Sequence, residues 1–140
     1  MRRQIQGLSR SATQSDVADG LYLVRVQRAH YRWHKQKPFY ELSFYVLEPE
    51  ALLGAAITAR LPCSPKSLWK LAWFLRDFRY SRELLEQDEI DVRALLGLHG
   101  VVQVAHEIIN GRSNVILRAF APAADWPHLS MTPSANPEVA

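Results

Sequence analysis

Residues 62–79 read Pro62-Cys63-Ser64-Pro65-Lys66-Ser67-Leu68-Trp69-Lys70-Leu71-Ala72-Trp73-Phe74-Leu75-Arg76-Asp77-Phe78-Arg79. The hydrophobic period changes inside this stretch. Up to Pro62 the apolar residues alternate; beyond it Leu68, Leu71, Ala72, Leu75 and Phe78 recur at helical spacing. Ser64 followed by Pro65 is a suitable N-cap and first-turn pair, so the spacing predicts one helix running to about Arg79. Trp69 and Trp73 sit one turn apart and, with Phe74, widen its apolar face. Core packing is the reading that spacing favours, and a protein contact or dimer surface is the alternative.

Working outward, Leu21 to Arg28 alternates, with Tyr22, Val24 and Val26 on one face and Leu23, Arg25 and Gln27 on the other, the period of a half-buried strand. A second strand follows Pro38, with Tyr40, Leu42, Phe44 and Val46 inward, Phe39, Glu41, Ser43 and Tyr45 outward, and Glu48-Pro49-Glu50 ending it. A third, about Ala55 to Leu61, turns Ile57 and Leu61 in and Thr58 and Arg60 out. After the helix comes an acidic stretch from Glu83 to Asp91, with short helical possibilities around Arg82–Leu85 and Val92–Leu96. Two last strands, about 99–108 and 113–120, are joined by Asn110-Gly111, whose residue types suit the positive φ angles of a type I′ turn. The expected fold is mostly β: a five-stranded OB-fold-like barrel with one helix between strands three and four, or alternatively an open α+β sheet with one helix. The domain spans 19–126, between a flexible arm over 1–18 and a disordered tail over 127–140 that holds three prolines and few large apolar residues.

The chain of 140 residues is 48 % hydrophobic and 22 % charged, which suits one globular domain. No apolar run approaches the roughly 20 residues of a spanning helix, and no apolar segment follows the N-terminal arginines as in a secretory signal. A single cysteine, Cys63, makes neither an internal disulfide nor a paired-cysteine zinc site. A cytoplasmic location is the resulting expectation. The formal charge of +3 is unevenly spread: residues 1–40 hold eight Lys/Arg against Asp16 and Asp19, whereas the remaining residues are net acidic. One surface is thereby suited to a polyanion.

The segment Arg25-Val26-Gln27-Arg28-Ala29-His30-Tyr31-Arg32-Trp33-His34-Lys35-Gln36-Lys37-Pro38-Phe39-Tyr40 interleaves cations with aromatic rings. That pattern suits a single-stranded nucleic acid, whose phosphates the cations track and whose unpaired bases the rings stack on. Arg25, Arg28, Arg32, Lys35, Lys37, Arg60 and Arg112 are the expected phosphate contacts, and Tyr31, Trp33 and Tyr45 the stacking platforms. In an OB-fold this segment is the first long loop, and 109–113 the second. Catalytic and cofactor signatures are lacking: there is no phosphate-cradling Gly-rich loop, no G-x-S-x-G elbow and no Asp/Glu-x-Lys triplet. On strands His30 and His34 lie about 13 Å apart at ~3.3 Å per residue, too far to share a metal. Glu86, Asp88, Glu89 and Asp91 lack EF-hand spacing and read as a solvated face, and Cys63 as a buried thiol. No enzyme, metal or cofactor is expected.

Several stretches together resemble the small OB-fold single-stranded-DNA-binding proteins encoded by phages, prophages and integrative elements. They are Asp19-Gly20-Leu21-Tyr22-Leu23-Val24-Arg25-Val26, Lys37-Pro38-Phe39-Tyr40-Glu41-Leu42-Ser43-Phe44, Leu68-Trp69-Lys70-Leu71 with Phe74-Leu75-Arg76-Asp77-Phe78, Leu95-Leu96-Gly97 and Asn110-Gly111-Arg112-Ser113. The resemblance runs from about Asp19 to Trp126. It implies protection of single-stranded DNA and its delivery to a recombinase or replication protein, and one OB-fold's ~4–16-nucleotide footprint favours assembly into homo-oligomers. Bacterial single-stranded-DNA-binding proteins recruit partners through an acidic, phenylalanine-ended tip, whereas this sequence finishes Pro137-Glu138-Val139-Ala140, which leaves a simple binder or an adaptor with another docking surface as the expectation. Two further readings stand beside this one: an adaptor or inhibitor using the Trp69/Trp73 helix, and an RNA-binding OB module using the same surface.

Overall fold

The computed structural model describes residues 17–131. The element order is β1 (Gly20–His34), β2 (Lys37–Glu48), β3 (Ala56–Pro62), α1 (Leu68–Asp77), α2 (Arg82–Glu86), α3 (Val92–Leu95), β4 (His99–Ile109), β5 (Arg112–Pro122) and α4 (Trp126–Met131). All five strands form one antiparallel sheet in the order β3-β2-β1-β4-β5. The mostly β fold with its helix between β3 and β4 is as expected, and no ladder closes the sheet: β3 and β5 are edges that touch without pairing. Three register shifts, at Gln27 in β1, Leu47 in β2 and Arg118 in β5, each place an extra residue in one strand. Such bulges bend a sheet and increase its twist, which brings distant edges toward each other.

The alternation expected for the first three strands holds. Tyr22, Val24 and Val26, then Tyr40, Leu42, Phe44 and Val46, then Ile57, Ala59 and Leu61 all point into one core. The helix α1 packs against both edge strands, β3 and β5, and so covers the seam. Its central residue is Phe74, fully buried, with its ring 6.2 Å from Phe44, 4.6 Å from Phe78 and 5.5 Å from Phe120. Truncating one such phenylalanine to alanine costs roughly 3–5 kcal/mol. Gly100 on β4 is required by this cluster, since a Cβ there would stand 2.4 Å from the Phe78 ring.

Several expectations need correction at element ends. Leu68 is 48 % exposed rather than on the core face, because it begins α1 ahead of the part that reaches the aromatic cluster. Trp69 is 62 % exposed and is no core residue. Ser64 caps no backbone amide with its side chain; the first turn, Pro65–Ser67, is a 3₁₀ turn, and the Ser64 hydroxyl bonds that of Ser67. Val17 is buried in the core and the Ala18 carbonyl accepts a hydrogen bond from Tyr22, so the last two residues assigned to the arm belong to the domain. The stretch expected to be disordered from Pro127 begins inside α4, anchored by Trp126, whose indole donates to Glu48 at 2.7 Å. The rest of the arm, 1–16, and of the tail, 132–140, lies outside the described residues.

The carboxylates Glu86, Asp88, Glu89 and Asp91 are exposed, as a solvated face requires, while the backbone of the stretch is tied down. The buried Tyr80 hydroxyl donates to the Glu89 carbonyl and accepts from the Asp91 amide, at 3.1 and 2.8 Å. Ser81 and Asp91 cap α2 and α3. No helix among the described residues is long and apolar enough to cross a membrane.

Candidate nucleic-acid interface

The expected first loop is a β ribbon. β1 and β2 remain paired out to His34 and Lys37, and only Lys35 and Gln36 turn between them, both at positive φ (52° and 64°). Beyond Arg25, β1 has lost its β4 neighbour, and its residues from His30 to His34 are exposed on both faces. An unbroken period of two would turn Arg28 and His30 inward and Ala29 outward. The extra residue Gln27 reverses this: Val26 pairs with Phe44, Arg28 with Ser43 and Ala29 with Leu42, and Ala29 is buried.

The consequence is a sorting of the interleaved segment. Antiparallel partners share a face, so Arg25 lies beside Tyr45, Arg28 beside Ser43, His30 beside Glu41 and Arg32 beside Phe39. β3 extends the same rows, with Thr58 beside Ser43, Arg60 beside Glu41 and Pro62 beside Phe39. Arg25, Arg28, Arg32, Tyr45 and Arg60 thus occupy one outer face. Tyr31 and Trp33 lie on the other face with Tyr40 and the core residues. Tyr31 is 5.1 Å from the Tyr40 ring and edge-on to Trp33 at 6.0 Å. Tyr31 and Trp33 are 44 % and 62 % exposed, so both rings keep open surface.

On the outer face the aromatic rings carry guanidinium groups. Arg25 sits over Tyr45 at 4.8 Å and Arg60 over Phe39 at 4.7 Å. Phe39 does point outward, as its parity requires, yet it is only 8 % exposed. Each exposed contact of this kind is worth ~0.5–1 kcal/mol, and it holds a planar guanidinium flat, a surface on which a base can stack. The Arg32 Nε donates to Glu41 at 2.7 Å, so Glu41 neutralises one of the cations. Ser43 and Thr58 share a hydroxyl hydrogen bond of 3.2 Å between them.

Lys35 is in the turn and Lys37 opens β2 opposite His34, both exposed. Arg112 opens β5 opposite Ile109, beyond the Asn110-Gly111 turn at φ 52° and 78°. Its hairpin reaches the outer face: Ile109, Asn114 and Ile116 line an open groove of about 400 Å³ with Glu41, Thr58 and Arg60. Arg112 is therefore at the rim of the surface whose floor holds Arg60, while Tyr31 and Trp33 are the expected site residues that the fold sets apart.

Sequence reasoning missed His99, the β4 partner of Arg25, and considered His30 only as a metal ligand. The pairing of His99 with Arg25 joins residues far apart in the chain, for which no local pattern exists. Among the described residues no group of three or more His, Cys, Asp or Glu side chains is assembled to hold a metal ion. Burial, followed by the neighbouring Cys63, Tyr31 and Tyr80 groups, pushes Tyr40 up to about 12. Burial also raises the Cys63 thiol, which disfavours the nucleophilic thiolate. Compared with known proteins, the chain matches no family model and no curated protein.

Proposed function

We propose that the chain is an OB-fold-like barrel that binds single-stranded DNA with little sequence preference, in support of recombination or replication. The order β3-β2-β1-β4-β5, the helix between β3 and β4 packed on both edges, and the approach of β3 to β5 favour the barrel reading. The observation that carries the binding reading is the outer face of β1, β2 and β3. Four arginines stand there on a pleated surface with Tyr45 and Phe39, bounded by two protruding hairpins. Phosphates meet Arg25, Arg28, Arg32, Arg60 and Arg112, with Lys35 and Lys37 at the ribbon tip. Bases stack on Tyr45 with its arginine and, where the strand passes the ribbon, on Tyr31 and Trp33. Such contacts have no base-edge code, hence the low sequence preference.

The test is fluorescence anisotropy with a labelled strand of about 30 nucleotides, longer than the ~4–16 covered by one OB-fold, with duplex and RNA competitors. Tight, salt-sensitive binding that duplex fails to compete is the expected result, and RNA competing better than DNA would redirect the reading to an RNA module. Absence of binding at low salt would overturn it.

A second reading is favoured by Trp69, which is 62 % exposed and stacked on Trp73 at 6.2 Å. An indole of this kind, held in place by a half-buried neighbour that itself donates to Asp77, suits a protein contact, whether with a recombinase, a replication protein or another copy. In that reading Trp69→Ala dissociates a complex and leaves strand affinity unchanged.

A further inference from the structure

Three arginines converge at the C-terminal end of α1, off the outer face of the sheet. Arg76 is in the last turn, Arg79 follows the helix, and Arg82 opens α2; together with Asp77 and Pro122 they line a cavity of about 620 Å³. Among the described residues none of the three guanidinium groups is paired with an acid. Asp77, the carboxylate in the lining, accepts from the Trp73 indole at 2.9 Å. The negative end of the helix dipole accounts for a cation at Arg76. It does not account for Arg79, which has φ 61° and fills the left-handed position that closes the helix. There the Arg79 amide bonds the Arg76 carbonyl and the Tyr80 amide bonds that of Leu75. Glycine is the usual residue at that position, and an arginine there carries backbone strain.

A second cavity shares Arg79 with this one and a register pair with the outer face. Arg25 is the register partner of His99, and His99 lines that second cavity, of about 250 Å³, whose wall includes Arg79. A row of donors thus runs from Arg28 and Arg25 through His99 to Arg79 and on to Arg76 and Arg82. We infer that the arginine cavity at the end of α1 binds phosphate groups, and that a single strand lying on the outer face continues past Arg25 and His99 into it. Guanidinium forks match pairs of phosphate oxygens, and three cations against the single carboxylate of Asp77 leave a positive excess that suits a phosphate backbone. The second half of this inference rests on the proposed function; the first half does not.

Two measurements on the full chain test it. In the first, strands of about 8 and about 24 nucleotides, lengths on either side of one OB-fold's upper footprint of ~16, are titrated into the wild type and into Arg76→Ala/Arg79→Gly/Arg82→Ala. Glycine at 79 suits the backbone, so the turn is kept while the charge is removed. The long strand is expected to bind the variant more weakly, with a plot of log affinity against log salt shallower by about 2, at ~0.7 for each phosphate that is no longer neutralised; the short strand is expected to bind both proteins equally. Equal loss at both lengths, or no loss at either, overturns the continued path. In the second, pyrophosphate is titrated while the arginine Nε–H signals are followed by NMR. Shifts of the Arg76, Arg79 and Arg82 signals support the cavity, and unmoved signals overturn it. Shifted signals in a protein that binds no strand would sink the proposed function and leave the cavity as a site for a free phosphate compound. Strand binding with unmoved signals would do the reverse.

Discussion

The hairpins β1–β2 and β4–β5 are built alike and carry different cargo. Each is a long antiparallel ribbon closed by two residues at positive φ. The second uses Asn110-Gly111, the residue pair that such a turn favours on local grounds; the first uses Lys35-Gln36, neither of which favours it. In the first ribbon, cross-strand pairing on both sides of the turn enforces that geometry, and charge is kept at the tip at the expense of ease in the backbone. The second ribbon carries Ile108 and Ile109, exposed, and a loose Glu107–Arg118 pair at 3.8 Å. The contrast teaches that a turn can be held from outside itself, which frees its residue types from the local φ preference.

The largest expected effect breaks the comparison at the aromatic face. Tyr31→Ala/Trp33→Ala is expected to cost ~2–6 kcal/mol of strand binding, at ~1–3 per stacked base, with the salt slope unchanged. Ile108→Ala in the other ribbon is expected to leave affinity alone. Anisotropy at several salt concentrations measures both, and equal losses in the two ribbons would end the distinction between them.

Next in size is the outer face. Arg25→Ala/Arg28→Ala/Arg60→Ala should flatten the slope of log affinity against log salt by about 2, whereas Arg112→Ala alone should change it by about 0.7. A slope unchanged by the triple substitution would remove this face from the phosphate path. Smaller still is the turn. Exchanging Lys35-Gln36 for Asn-Gly should raise stability by ~1 kcal/mol through relief of the left-handed strain, read from urea unfolding, and a loss of stability would show the native pair to be the better fit.

The last prediction vanishes at neutral pH. Tyr40 has an ordinary value of 10.0 and is raised to about 12 in the fold, so the folded chain holds that proton more tightly than the unfolded one. Its contribution to stability is complete below pH 10 and is lost as pH rises from there to about 12. Thermal unfolding across that range should show Tyr40→Phe free of this loss, with those of Tyr22 and Cys63, both also raised by burial, remaining. An identical alkaline profile for the variant would contradict the assignment.

Much of the fold was legible because burial is periodic. Tyr22, Val24 and Val26, the even residues from Tyr40 to Val46, and Ile57 with Leu61 declared their faces through a two-residue alternation that only a strand satisfies. The Asn110-Gly111 turn was legible through local backbone preference. The Lys35-Gln36 turn was not, because no local preference marks it. The candidate cations and rings were legible by composition, but their division was not. The extra residue at Gln27 leaves no trace in a hydrophobic pattern, and it decides that Arg25 shares a face with Arg28 and Arg32.

By itself, then, the sequence determined the strands, the place of the helix and a segment rich in cations and rings, since these follow from side-chain period and local φ preference. Only the tertiary structure decided that Arg25 shares a face with Arg28 and Arg32, that Arg60 covers Phe39, and that His99 stands beside Arg25. Those relations depend on cross-strand register, which is set by the simultaneous packing of all five strands and α1 around one aromatic core.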